Sequence, residues 1–304
     1  MSVTPPRDAL PPLAEIGIQV ASDGGVAMSA LHLTRCPMPV LLRHRSLRVP
    51  FRLILAIALA QPWTANAQRP FATSRDSISQ AAAKLLNAGR GNEARILLQN
   101  ARGNSSREQR VIYRLEVGNS YLYDGLYADA LRTYDAVLAS GDAKGIDSLT
   151  SWAHRGMGLA EAFAGRETRG AAHLAQALAS PGDSRFALGD SLEMLIITGQ
   201  HDDAAKLLDR MASSRDDEAG QQYVQAFRGL NLMMAGHCTA ALAEIAKAPR
   251  QDRPLPLAVR GRCAAKHGQK AESLVLRDSV LGHPMPDPFA WTMIIARDAA
   301  RKIK

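Results

Sequence analysis

Aromatic side chains are scarce, at 5% of the 304 residues. With alanine abundant, this scarcity argues against β-sandwiches and for closely packed helices. The chain also lacks a phosphate-cradling GxxxxGK[ST], an HExxH, a GxSxG and a CxxC. No nucleophile–base pair, paired carboxylates or metal-ligand spacing takes their place, so no enzyme activity and no cofactor are expected. A strong charge bias is missing as well. The formal charge is +8, but residues 1–67 hold six arginines against three acids, leaving 31 basic and 26 acidic side chains beyond them. So mild an excess fits a mixed soluble surface and excludes a nucleic-acid footprint.

One compartment signal is present. Arg43, Arg45, Arg48 and Arg52 precede the apolar run LILAIALA (residues 53–60), and QPWTANA then ends in small residues at Ala65 and Ala67. Charged segment, short apolar segment and A-x-A site are the order of a secretory signal. Eight apolar residues cannot span a hydrocarbon core that needs about 20 in a helix. Residues 38–67 are thus expected to be a signal peptide, with the mature chain starting at Gln68 in the periplasm or outside the cell. Residues 1–37, punctuated by Pro5, Pro6, Pro11, Pro12, Gly24 and Gly25, are expected to be a disordered or over-extended leader, with Met38 a competing start.

What the rest contains is a repeat. Gly89, Gly125, Gly165, Gly199, Gly236 and Gly268 stand 36, 40, 34, 37 and 32 residues apart. Five residues after each stands a small side chain: Ala94, Ala130, Gly170, Ala204, Ala241, Ser273. Seven before stand Ala82, Gly118, Gly158, Leu192, Gly229 and Gly261, and nine after stand Leu98, Tyr134, Leu174, Leu208, Ile245 and the exception Arg277. Small residues at facing positions let two antiparallel helices approach, and the large apolar residue fills the seam. The anchor glycine stops the first helix in a left-handed conformation.

On these residues the chain resembles the tetratricopeptide (TPR) family of helix–turn–helix repeats. Gly118, Tyr121, Gly125, Tyr127, Ala130 and Tyr134 occupy its signature positions. The resemblance implies an all-α, right-handed α-solenoid of about six repeats over the domain 68–281. A generic alanine-rich helical bundle is the blander alternative. The resemblance further implies a concave groove for an extended peptide or a partner's helix, at Asn119, Leu122, Tyr123, Arg155, Phe163, Glu193, Met233, Met234, Arg262 and Lys266. A clamp for a C-terminal carboxylate is not expected, because Leu115, Gly156 and Phe186 stand where the partners of Asn119 belong.

Two features lie outside the repeat frame. Cys238 and Cys263 sit symmetrically about the turn near residue 250 and are the only cysteines beyond the signal. They could form a disulfide, act as two small buried hydrophobes, or join His237 and His267 around zinc. In residues 282–304, Asp287 and Pro288 precede a helix whose Phe289, Trp291, Ile294 and Ile295 form an apolar stripe, with Arg297, Arg301, Lys302 and Lys304 toward its end. This segment is expected to cap the last repeat; contact with a membrane surface is the alternative. The expected function is an exported scaffold that binds a polypeptide segment. A structural subunit of an outer-membrane or secretion assembly, or a helical metal or enzymatic module at the Cys/His cluster, is the alternative. Neither nucleic acid nor a small molecule is an expected partner.

Overall fold

In a computed structural model, the structure describes residues 76–179, 187–213, 217–282, 284 and 290–304. All of them fall in one compact unit, Arg48–Lys304. The expected leader, the signal segment, Gln68, Phe186, Asp287, Pro288 and Phe289 lie outside the described residues. Six helix pairs follow in order: α1 (Ser77–Asn87) with α2 (Gly91–Ala101), α3 (Arg107–Asp124) with α4 (Tyr127–Ala139), and α5 (Asp147–Phe163) with α6 (Glu167–Ala179). Then come α7 (Ala187–Ile197) with α8 (His201–Ala212), α9 (Glu218–Met234) with α10 (Cys238–Ala246), and α11 (Pro254–Lys266) with α12 (Lys270–Gly282). Helix α13 (Trp291–Arg301) ends the chain, and no strand occurs among the described residues. None of the described helices is long and apolar enough to cross a membrane.

Local chemistry sets the ends of these helices. Asp76 caps α1 by accepting from the Ile78 and Ser79 amides at 3.0 and 2.9 Å, and Asp217 caps α9 through the Gly220 amide. All six anchor glycines adopt positive φ, between 73° and 89°. After each, the next amide reaches back five residues, as Leu126 does to the Tyr121 carbonyl at 2.8 Å and His237 to that of Leu232 at 2.8 Å. That bond satisfies a carbonyl which the helix end would otherwise orphan.

The spacing read from the sequence is the packing. All six small residues five after the anchors are buried, and Leu98, Tyr134, Leu174, Leu208 and Ile245 are at most 1% exposed. In three pairs the large residue lies against the glycine seven before the anchor. A Cβ added at Gly158 or Gly229 would come within 2.5 Å of Leu174 or Ile245, respectively. The Tyr134 ring is wedged between Gly118 and Gly156, and its hydroxyl donates to Asn119 Oδ1 at 2.6 Å. Fully burying such a leucine or isoleucine contributes about 2 kcal/mol. Where Arg277 breaks the rule, Ile303 from the chain end fills the seam instead: a Cβ on Gly261 would stand 2.7 Å from Ile303 Cδ1.

Pairs stack on their sequence neighbours, and successive first helices touch, as α3 does α5 and α9 does α11. The fold is an all-α solenoid. Helix α13 covers the last pair, as expected of a cap, and reaches further. It packs on α11 and α12 but also touches α3, and Met293 joins the apolar cluster of the first pair. An eleven-residue helix is about 16 Å long, whereas four steps in a straight stack at about 10 Å each would part α3 from α11 by about 40 Å. The row of first helices therefore bends around α13.

Candidate binding surface

Helix α13 lies where the resemblance implies a groove, and its side chains define that surface. Trp291 meets Trp152 of α5 edge-on, with ring centroids 6.4 Å apart, and Arg155 of α5 stacks on the other ring of the pair, 5.0 Å from the Trp291 centroid. Arg155 is held there by Glu193 of α7 through a fork of 3.2 and 2.8 Å. Glu193 is buried, and the fork from Arg155 reaches both of its carboxylate oxygens.

Six residues beyond Trp291, Arg297 covers the Tyr123 ring at 4.0 Å. It donates to the Tyr123 carbonyl at 3.2 Å and to the Leu281 carbonyl at 2.6 Å. Arg301 donates to the same Tyr123 carbonyl. Both arginines thus sit at the C-terminal end of α3, where the helix dipole and unsatisfied carbonyls favour a cation. Burial is the main cause holding the Arg297 guanidinium below its ordinary pKa. Asp298 accepts from the Tyr127 hydroxyl at 2.7 Å and pairs with Lys302 at 2.8 Å. Burial, then the Asp298 carboxylate, pushes the Tyr127 hydroxyl well up, so it stays a donor. Lys302 also lies 5.6 Å from the Phe163 centroid.

This occupancy sorts the ten groove residues. Asn119, Leu122 and Met233 are corrections: they are core, at 0%, 0% and 7% exposure, because their side chains face the hairpin seams. Tyr123, Arg155, Phe163 and Glu193 do line the inner face, but α13 or its partners engage them. Met234, Arg262 and Lys266 remain accessible. Arg262 and Lys266 are i, i+4 neighbours on α11, and Lys266 donates to the Gly236 carbonyl at 2.7 Å. Met234, the last residue of α9, is 47% exposed. Where α9, α10 and α11 meet opens a cleft of about 450 Å³ lined by Leu232, Gly236, His237, Cys238, Lys266 and His267 among others, none acidic.

Both cysteines are buried thiols. Cys263 is pushed up to about 12, first by burial and then by its hydrogen-bonded neighbour Cys238. The zinc reading is corrected: no three His, Cys, Asp or Glu side chains converge among the described residues. His237 and His267 are exposed at helix ends while the thiols face inward. The partners Trp152, Tyr127 and Asp298 were not singled out as site residues, since nothing in their local spacing announces a contact across about 171 residues.

No known family pattern matches the chain, and no curated protein does either. Among solved structures it is similar to a tetratricopeptide repeat protein from Parabacteroides merdae, at 14% identity and a TM-score of 0.37, over 74% of this chain and 98% of that one.

Proposed function

We propose that this chain is an exported helical-repeat scaffold that binds a polypeptide segment along the part of its inner face that α13 leaves open. The export half rests on the arginine–LILAIALA–ANA order. The binding half is carried by one observation: Lys266, with Arg262 one turn before it on α11, lines an acid-free cleft, and exposed Met234 ends the neighbouring helix α9. Methionine adapts to varied apolar side chains, and the two cations select a segment with acidic residues next to apolar ones. Helix α13 braces the row of first helices, so little ordering of the scaffold accompanies binding.

A photo-crosslinking residue placed at position 234 in the native envelope tests this, with position 275, on exposed Val275 of α12, as control. Crosslinks to one protein at 234 but not at 275, lost in Arg262→Glu/Lys266→Glu, support the reading. Equal capture at both positions, or none, overturns it. N-terminal sequencing of the envelope protein tests export separately, with Gln68 expected as the first residue.

A further inference from the structure

A second cleft, on the other side of the second pair, opens between α2, α3 and α4. Its volume is about 550 Å³, and Arg102, Arg114 and Arg132 project into it with no acidic residue in the lining. Val117, Tyr121 and Ala136 supply an apolar wall. Among the described residues the local charges do not balance. Asp142 serves both Arg110 at 3.0 Å and Arg114 at 3.7 Å, and Arg132 pairs with Asp129 on its own helix. Arg102 has no ion pair, and its Nε is buried without a hydrogen-bond partner. A buried guanidinium nitrogen left unmatched is costly. Burial first, then repulsion from Arg114, holds the Arg102 pKa below its ordinary value.

We propose that this cleft binds a small anion, a carboxylate or a phosphate ester carrying a short apolar body, with Arg102 as its principal anchor. The head group meets Arg102 and Arg114, and the body lies on Val117 and Tyr121. The volume suits a small ligand, and the planar guanidinium fork suits either oxyanion. This departs from the sequence-based expectation that excludes a small molecule, and it is independent of the polypeptide site at Met234.

The test is calorimetric titration of the full chain, at fixed ionic strength, with sodium hexanoate, hexyl phosphate and, as a cation control, hexylammonium. One anion or both bind, hexylammonium does not, and Arg102→Gln weakens binding about tenfold or more. Tighter binding of hexanoate assigns a carboxylate ligand, and tighter binding of hexyl phosphate a phosphate ester. Because Arg102 has no partner to lose, Arg102→Gln also melts at or above the wild-type temperature without ligand and loses the anion-induced rise. No binding of either anion at about 10 mM, or binding unchanged in the variant, overturns the proposal. Should Arg102→Gln fail to fold, Arg114→Gln, altering the second head-group arginine, whose pairing with Asp142 is loose at 3.7 Å, gives the same titration readout.

Discussion

Gly261→Ala tests the replacement of a missing seam residue by the chain end. The new Cβ would stand 2.7 Å from Ile303 Cδ1 and 3.2 Å from Leu276 Cβ, with the Ser273 carbonyl at 3.6 Å. The first is a clash that the end of a flexible side chain must clear, and the second asks Leu276 to give by a few tenths of an ångström. Overpacking of this kind costs about 1–3 kcal/mol, while exchanging glycine for alanine inside a helix returns about 1 kcal/mol. The net expectation is a loss of about 1 kcal/mol. Ile303→Val removes the clashing Cδ1 and alone costs about 1 kcal/mol. In the Ile303→Val background, Gly261→Ala then becomes neutral or stabilising, for a coupling of about 1–2 kcal/mol. Urea unfolding of the wild type, both singles and the double reads this directly. Additivity within about 0.5 kcal/mol would refute the seating of Ile303 on Gly261.

Further outcomes follow from other contacts. Arg155→Met strands the buried Glu193 carboxylate and costs about 3 kcal/mol, and adding Glu193→Leu recovers most of that loss in the same denaturation assay. His154 and His173 stack at 5.8 Å with both Nδ1 atoms unpartnered, and burial, then His173, depresses the His154 pKa from 6.5. The unfolded chain therefore takes up the proton first, so stability is intact above 6.5 and falls as pH drops below it. His154→Gln flattens that decline, and an equally steep profile in the variant would exclude His154 as its source. With both thiols buried and Cys263 pushed up to about 12, glutathione disulfide is expected to leave the native mass unchanged. Loss of two hydrogens would show the pair reachable and joined.

The six left-handed glycines and the seams were legible because each is a local demand repeated at fixed spacing. A backbone that must turn needs a residue without Cβ, and a seam needs small against large, so Gly158 with Leu174 can be read within one hairpin. The destination of α13 could not be read this way. Its apolar stripe fits an end cap and an inner brace equally, and the choice depends on curvature accumulated over four steps of stacking. Burial of Asn119 has a different origin: the family groove position presumes a side chain on the inner face, while here Asn119 turns to the seam and accepts from Tyr134. Arg102, Arg114 and Arg132 lie across 30 residues of chain, and only the packing of both α2 and α4 on α3 makes them one charged wall.

Repeat arrays ordinarily behave as one-dimensional lattices, in which units can be added, lost or frayed from an end with merely neighbourly consequences. Contact of α13 with both early and late pairs ties the two ends of this lattice together. Fraying of the first hairpin is then felt by the last, and unfolding is expected to be a single event along the whole array. The number of units also ceases to be free. A duplicated or deleted hairpin would carry Tyr123 away from Arg297 and Arg301, so tolerance to such indels, usual in open arrays, is forfeited here.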